Sequence, residues 1–373
     1  GDIAFPWSTF GYSLTAFPFF LQFADVVGVY GVSFVLVLLN VLLFRAIRNR
    51  RYAVVWLLLF CALNAYNAFR WFRGAGAPAG YVDVAVIQPN VPQRLKWDAA
   101  YSLQIVKKLF AMQQRALQTH PALVVWPETA IPFYIDERRP FALTEMGELP
   151  PNNSYILTGT LNVGYSAGGL AHFYNTAALF DLHGETLGRY KKIYLVPGSE
   201  LFPFRQVIGF TRTFFSIQRI TYGAMESGKD ATVFSIPGAR FSVLICYESV
   251  YPQLCRAFRL RGAEVLVNIT NDAWFGRSFA PHQHAAFLVM RAIENRMAIV
   301  RSANTGISGF VDPMGRWVQK SGIFSEAILS ARVPLTRRLT FYTRHGDIVV
   351  YVSYAVLGFL AVKTVLKKFR RNE

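Results

Sequence analysis

Three long stretches without charged residues stand out along the chain and predict membrane-spanning helices. Residues 26–44 and 52–69 carry no charge, and either stretch is long enough to cross the roughly 30 Å hydrocarbon layer as a helix. A third stretch begins at residue 348, and Lys363 can lie within it because its side chain reaches toward the headgroups. We therefore predict transmembrane helices at about 26–44 and 52–69, and a C-terminal one at 346–366.

Clusters of basic residues flank these stretches and orient them. Residues 45–51 contain four arginines, and residues 367–371 contain two lysines and two arginines. The positive-inside rule places both clusters in the cytoplasm, so the basic tail 367–373 is expected there and residues 80–345 outside it. The alternative is that the apolar stretches are core helices of a soluble protein. It is disfavoured because such helices rarely carry flanking clusters of this kind.

The segment before the first predicted span has a different pattern. Residues 3–24 carry no charge, but prolines, serines and threonines interrupt the apolar pattern. This favours an interfacial or re-entrant segment within a membrane region 1–73. Because the chain begins at Gly1 rather than Met and shows no signal peptide, we expect its N-terminus to be incomplete.

Residues 80–345 have the pattern of a folded domain. A linker rich in Gly, Ala and Pro, residues 74–80, precedes it. Beyond the linker, a helical pattern at 102–118 alternates with short apolar runs typical of strands, at residues 82–87, 122–126, 154–158, 175–182, 241–245 and 265–269. This alternation predicts one large α/β domain between the membrane helices.

The composition agrees with a membrane protein that carries such a domain. Of the 373 residues, 53% are hydrophobic and 16% charged, and the mean hydropathy is +0.27. The formal net charge is +17. Nucleic-acid binders usually combine a basic balance with more total charge and less apolar surface, so we expect no nucleic-acid partner. Three cysteines (Cys61, Cys246 and Cys255) are too few for a disulfide framework.

Three residues whose side chains could take part in catalysis lie next to apolar runs of the domain. The run at 241–245 leads into Cys246, the run at 122–126 leads through Pro127 into Glu128, and Lys192 precedes another apolar turn. A thiol is mostly protonated at neutral pH, so a nucleophilic cysteine needs a base and a stabilising cation. Each residue also has an ordinary interpretation: a buried core cysteine, a helix-capping glutamate and a solvated lysine.

Taken together, Glu128, Lys192 and Cys246 resemble the Glu-Lys-Cys triad of the nitrilase superfamily. Further motifs in the same chain order resemble one of its branches, the apolipoprotein N-acyltransferase family. These motifs are Ile87-Gln88-Pro89-Asn90-Val91-Pro92-Gln93, Leu95-Lys96-Trp97, Trp126-Pro127-Glu128-Thr129-Ala130, residues 192–200, Cys246-Tyr247-Glu248, Asn271-Asp272-Ala273-Trp274-Phe275-Gly276 and Pro281-His282-Gln283-His284. Phe5-Pro6-Trp7 and the following spans look like the family's membrane region.

The resemblance implies a nitrilase-like αββα sandwich inserted between transmembrane helices of a bacterial inner membrane, with the catalytic domain on the periplasmic side. It implies a ping-pong reaction in which Cys246 takes an acyl chain from a phospholipid and passes it to a diacylated apolipoprotein. Glu128 would be the general base and Lys192 the oxyanion-stabilising cation. Supporting or substrate-binding roles fall to Trp97, Glu200, Tyr247 and Glu248, although Gly198-Ser199 departs from the family's Phe-Gly before Glu200.

The sequence predicts neither a metal site nor a cofactor. Two histidines, His282 and His284, lack a Cys or carboxylate at ligand spacing.

Aromatic residues could supply an apolar rim around the site: Phe133, Tyr134, Phe202, Phe204, Phe210, Phe214 and Phe215. Two alternatives stay open at this point, a membrane-tethered amidase with the same triad and a lipid-binding module without catalysis.

Overall fold

Three long apolar helices flank the folded domain in a computed structural model, which describes residues 6–139, 141–147, 154–166, 168–200 and 225–369. Helix α1 spans Ala24–Ala46, α2 spans Arg50–Arg73 and α8 spans Ile348–Phe369. Each is long and apolar enough to cross a membrane. Asn49 separates the first two helices and caps α2 by accepting a hydrogen bond from the backbone N–H of Arg51.

The segment before α1 forms short 3₁₀ turns instead of a regular helix. They span Pro6–Ser8, Phe10–Leu14 and Pro18–Leu21. Two of them begin at proline, which has no N–H to donate and tolerates the first position of a helix. Residues 3–5 lie outside the described part of the chain. Helix α1 itself is kinked at Gly28, whose φ of 66° suits glycine.

The central domain contains two mixed β-sheets. Within the described residues the first sheet has the order β13 (Ala327–Leu335), β1 (Gly80–Gln88), β2 (Leu123–Val125), β4 (Tyr155–Tyr165), β5 (Ala171–Phe180) and β6 (Thr186–Lys191), with β3 (Tyr134–Asp136) also paired to β4. The second has the order β12 (Trp317–Lys320), β11 (Gly309–Val311), β10 (Ile299–Ala303), β9 (Val265–Thr270), β8 (Ala239–Ile245) and β7 (Phe234–Ile236). Strands β1, β2 and β4 are parallel, as are β8, β9 and β10.

Both faces of the first sheet are buried, which explains its continuous apolar runs. Val84 and Val86 pack against the second sheet, whereas Ala85 and Ile87 belong to a separate core that includes helix α4 (Ser102–Ala116). Successive residues of a strand point to opposite faces, so both sets must be apolar. Helices α5 (Pro252–Leu260) and α6 (Ala280–Asn295) cover the second sheet. The result is the αββα sandwich that the resemblance predicted.

The membrane helices pack directly onto this sandwich. Val29 N–H donates a 2.8 Å hydrogen bond to the carboxylate of Glu294 on α6, and the guanidinium of Arg296 lies 2.9 Å from Asp25 of α1. The short helix α7 (Phe341–His345) contacts α1 just before α8 begins. These contacts fix the sandwich against the membrane region.

Candidate active site

Cys246 lies at a sharp corner where β8 ends. Its φ is 52°, in the left-handed region that residues other than glycine rarely adopt, and a short 3₁₀ helix (Cys246–Val250) begins at this residue. Two groups hold the corner on either side. The carboxylate of Glu248 accepts the N–H of Ile245 at 2.8 Å, and His284 Nε2 lies 3.0 Å from the carbonyl oxygen of Cys246.

Glu128 follows β2 at a second tight corner. The next residue, Thr129, has a φ of 45°, and a Cβ on Gly159 of β4 would lie 2.6 Å from the Glu128 Cα. The corner therefore depends on the close approach that glycine permits. One Glu128 oxygen accepts a 2.8 Å hydrogen bond from the side chain of Asn175, and the other accepts one of 2.8 Å from the Asn271 N–H.

Lys192 follows the last residue of β6 and is almost completely buried. Its Nζ lies 2.8 Å from an oxygen of Glu200 and 3.6 Å from an oxygen of Glu128. Asn175 lies between the two carboxylates and donates to Glu200 at 3.0 Å as well as to Glu128. Glu200 is held in turn by the Val196 N–H at 2.9 Å. The Gly198-Ser199 departure thus still places Glu200 on Lys192.

The charges of this cluster act on the thiol of Cys246. Although the residue is partly exposed, desolvation raises the pKa of the thiol and Glu128 raises it further, while Lys192 lowers it. Burial alone would lower the pKa of Lys192, but Glu200 and Glu128 outweigh it and raise that pKa. The resting site therefore holds a neutral thiol and a cationic lysine, so nucleophilic attack needs proton transfer to a base.

Glu248 connects the lysine and the cysteine through the backbone. Its Oε1 accepts from the N–H groups of Ile193 and Tyr194, which follow Lys192, and from the Tyr190 hydroxyl; its Oε2 accepts from Ile245, which precedes Cys246. Burial raises the pKa of Glu248 to about 7, although its hydrogen bonds favour the charged form. This single side chain sets the distance between two strand ends.

Trp97 and Tyr247 both have apolar surroundings. Trp97 follows the short helix α3 (Gln93–Lys96) and packs against a cluster of Leu161, Leu195 and Met225. The ring of Tyr247 is buried and stacks on Trp7 from the N-terminal segment, with ring centroids 6.5 Å apart. Trp97 follows Lys96 and Tyr247 follows Cys246, so both aromatic residues are adjacent in sequence to residues of the site.

Sequence reasoning missed three contributors to this site. Asn175 bridges two carboxylates, as described above. Lys96 is buried, and its Nζ donates a 3.0 Å hydrogen bond to the carbonyl oxygen of Glu128. Arg301 lies 2.7 Å from Asp272, which in turn is 2.8 Å from His284. The motif around Lys96 was visible in the sequence, but nothing there showed which group the lysine contacts.

The two histidines of the Pro281-His284 motif have different surroundings. Both ring nitrogens of His284 face protein groups, the carboxylate of Asp272 and the carbonyl of Cys246, whereas His282 is exposed. His284 thus supports the cysteine corner. Of the expected aromatic rim, Phe133 and Tyr134 are more than one-third exposed. Phe202, Phe204, Phe210, Phe214 and Phe215 lie outside the described residues.

Comparisons with known proteins show the family of this chain. Residues 83–339 match the carbon-nitrogen hydrolase family, and residues 2–42 match the apolipoprotein N-acyltransferase N-terminal domain. The apolipoprotein N-acyltransferase of Geobacter metallireducens is 34% identical over 98% of this chain and 71% of its own length. The chain belongs to the apolipoprotein N-acyltransferase family. The apolipoprotein N-acyltransferase of Chlorobaculum tepidum is 33% identical over 98% of this chain and 74% of its own length.

Solved structures show the same fold at lower sequence identity. Nit3 of Saccharomyces cerevisiae, a nitrilase-superfamily member, has a TM-score of 0.51 at 19% identity and covers 69% of this chain and 93% of its own. A mutant of the Nesterenkonia amidase has a TM-score of 0.50 at 18% identity, and the match covers 75% of this chain and 100% of the amidase chain.

The relatives and the family matches confirm the predicted family and the acyltransferase class, and the solved structures confirm the nitrilase-like fold. The protein is a membrane-embedded acyltransferase of a bacterial family named for the N-acylation of apolipoproteins.

Proposed function

We propose that the protein moves a fatty acyl chain from a phospholipid, through a thioester on Cys246, to the α-amino group of the diacylglyceryl-cysteine of an apolipoprotein. The observation that carries the proposal is the buried Glu128-Lys192-Glu200 cluster, whose charges act on the Cys246 thiol beside membrane-spanning helices. A donor that resides in the bilayer explains why a cysteine enzyme is built against such helices.

In the first half-reaction, Glu128 takes the thiol proton as Cys246 Sγ attacks the ester carbonyl of the phospholipid. Lys192 stabilises the negative charge that develops on the carbonyl oxygen. The intermediate collapses by breaking the ester C–O bond, and the departing lysophospholipid alkoxide takes the proton back from Glu128. Since the resting thiol is neutral, its deprotonation has to accompany the attack.

In the second half-reaction, the acceptor's amine attacks the thioester carbonyl and Glu128 removes a proton from the amine. The C–S bond breaks, an amide forms, and the thiolate is reprotonated by Glu128. Water would compete with the amine for the thioester, so the site must be shielded. Tyr247, which follows Cys246, and Trp7, which stacks on its ring, supply apolar cover beside the cysteine.

We further propose that the chain lies in the bacterial inner membrane with its catalytic domain on the periplasmic side. The arginines at the α1–α2 connection and the basic end of α8 support this orientation. Residues 367–369 belong to α8, whereas residues 370–373 lie outside the described part of the chain.

Mass spectrometry of the intact protein after incubation with phospholipid tests the proposal. We expect a mass increase of one acyl chain on Cys246 that persists in water and disappears when a diacylated lipopeptide amine is added. Cys246→Ala should form no adduct, whereas Cys61→Ser, at an exposed cysteine in α2, should behave as the unaltered protein. Rapid hydrolysis without the amine would indicate an amidase. Acyl transfer by Cys246→Ala would refute the triad, and an intact triad that takes up no acyl chain would indicate a lipid-binding module.

A further inference from the structure

A small cavity lies where the membrane helices meet the sandwich, apart from the triad. Its volume is about 160 Å³. The lining comes from the start of α1, the end of α2, the end of α6 and the segment that leads into α7: Asp25, Val26, Tyr66, Arg70, Ala75, Arg296, Arg338, Leu339, Thr340 and Phe341. Four separate elements therefore converge on one space.

Three arginines and one carboxylate line this cavity, which leaves a formal excess of two positive charges. Arg296 donates to Asp25 from both Nε and Nη2, and Tyr66 donates to the other oxygen of Asp25 at 2.8 Å. Arg70 Nε is 2.9 Å from Asp25 but lacks hydrogen-bond geometry. Arg338 is exposed and makes no ion pair among the described residues. Asp25 is thus satisfied, and guanidinium donors remain for a further anion.

The cavity lies at the level expected for lipid headgroups. Asp25 is in the first turn of α1 and Arg70 is near the end of α2, so both are at the end of this helix pair opposite the arginines of residues 45–51. Nearby aromatic side chains are exposed, Phe72 by 85% and Phe341 by 47%. Arginine side chains near the ends of membrane helices typically extend to the membrane interface.

The cavity is separate from the reaction centre. His284, which contacts Cys246, is near the start of α6, and Arg296 directly follows its last residue, twelve residues further along the chain. At 1.5 Å per residue this is about 18 Å. A phosphate held there is too far from the thiol for its own ester carbonyl to react, because only a few bonds separate phosphate and carbonyl in a phospholipid.

We propose that this cavity binds the phosphate of an anionic phospholipid that is not the acyl donor and that fastens the catalytic domain to the membrane surface. Guanidinium groups bind phosphate oxygens through paired N–H donors, and Arg70 and Arg338 are the groups with donors left to offer. Inorganic phosphate shares this chemistry, but the neighbouring helices and exposed aromatic side chains favour a ligand with acyl chains.

Native mass spectrometry of the full chain in detergent tests the site, with phosphatidylglycerol, phosphatidylcholine and inorganic phosphate as separate probes. We expect phosphatidylglycerol to bind at least tenfold more tightly than the other two. Arg338→Gln, at an exposed side chain that the fold does not need, should weaken phosphatidylglycerol binding about tenfold. Arg70→Gln should do the same. Arg73→Gln is the matched control, because it removes an arginine from the same helix end outside the cavity.

Three outcomes would overturn the proposal: equal affinity for phosphatidylcholine, an unchanged affinity in Arg338→Gln, or an equal loss in Arg73→Gln, which would indicate diffuse surface charge. Equal affinity for inorganic phosphate would refute the lipid assignment. Thioester formation on Cys246 in Arg338→Gln should match that of the unaltered protein. Because lipid binding and thioester formation are measured separately, a refuted lipid site can be distinguished from a refuted acyl transfer.

Discussion

Lys191 and Lys192 are neighbours in sequence but have opposite surroundings, because successive residues at a strand end point to opposite faces. Lys191 is partly exposed and its Nζ lies 2.8 Å from Glu137. Lys192 is buried between Glu128 and Glu200. The pair offers an internal comparison of an ordinary surface ion pair with a proposed catalytic cation.

Lys192→Met should reduce the rate of thioester formation by about a hundred- to a thousand-fold, since it removes a donor to the developing oxyanion. It should also raise the pKa of Cys246 further, because Lys192 lowers that pKa in the unaltered protein. Lys191→Met should leave the rate nearly unchanged. Quenched-flow mass spectrometry of the acyl-enzyme measures the rate of thioester formation in both variants. An inactive Lys191→Met beside an active Lys192→Met would reverse the assignment.

Lys96 predicts a distinct pH dependence. Burial lowers the pKa of Lys96 to about 8, against the opposing effects of Glu128 and Cys246. Below this pH the ammonium group holds the Glu128 carbonyl; as the pH rises through about 8, the charge is lost. Relative to Lys96→Arg, which stays charged, the unaltered protein should therefore lose thioester-forming rate above pH 8.

Rates of thioester formation from pH 6 to 10, without an acceptor amine, check this expectation. Lys107→Arg is the control, because Lys107 is an exposed lysine on α4. If the pH profiles of the unaltered protein and Lys96→Arg coincide, Lys96 does not act through its charge. Thermal denaturation of each variant separates this effect from a loss of folding.

The residues of the site differ in how far the sequence could predict them. Glu128, Lys192, Cys246 and Glu200 stand in recognisable motifs at the ends of apolar runs. Asn175 does not, because it lies inside β5, in an apolar run that indicates a strand but no site. Its contact with Glu128 joins residues 47 positions apart. Only the pairing of β4 with β5 and the corner after β2 create that contact.

At the scale of elements, the close contact between β4 and the Glu128 corner makes a sharp prediction. An alanine Cβ at Gly159 would lie 2.4 Å from the Thr129 nitrogen, a backbone atom that cannot rotate away. Gly159→Ala should therefore destabilise the fold by about 1–3 kcal/mol, the usual cost of overpacking. It should also displace Glu128, and a shift of about 1 Å can cost about a hundredfold in rate.

Gly80→Ala in β1 is the matched control, because its Cβ would meet only a leucine methyl at an ordinary 3.7 Å. Thermal denaturation and thioester formation are measured for both variants. A Gly159→Ala protein with unchanged rate and stability would show that the corner after β2 tolerates rearrangement. The role given to this close approach would then be wrong.

Apolar runs predicted several buried strands but not the buried parallel strand β10, where Arg301 and Ser302 interrupt the apolar pattern, nor the exposed or very short strands near it. The runs at 82–87, 122–126, 241–245 and 265–269 lie in β1, β2, β8 and β9, which are buried on both faces. By contrast, β12 is largely exposed and β11 has only three residues with a register shift. Short or exposed strands carry a weak apolar pattern, so pairing with neighbours decides their structure.

At the scale of the whole molecule, the charge distribution predicts the orientation in the membrane. In a background with Cys61→Ser and Cys246→Ala, a cysteine at exposed Leu187 should react with a membrane-impermeant thiol reagent added to spheroplasts. A cysteine at Arg48, between α1 and α2, should react only after the membrane is broken. The reverse labelling pattern would contradict the proposed orientation.

The contacts of Asp25 also bear on the order in which the protein folds during synthesis and membrane insertion. Its partner Arg296 is 271 residues away, and at about 5–20 residues per second the ribosome needs roughly ten to fifty seconds to reach it. Tyr66 and Arg70, by contrast, follow within the next helix. Because Asp25 is buried, leaving its carboxylate without a partner would be costly. The α1–α2 hairpin thus supplies Asp25 with interim partners during insertion, and α6 later completes a charge network that the hairpin has already begun.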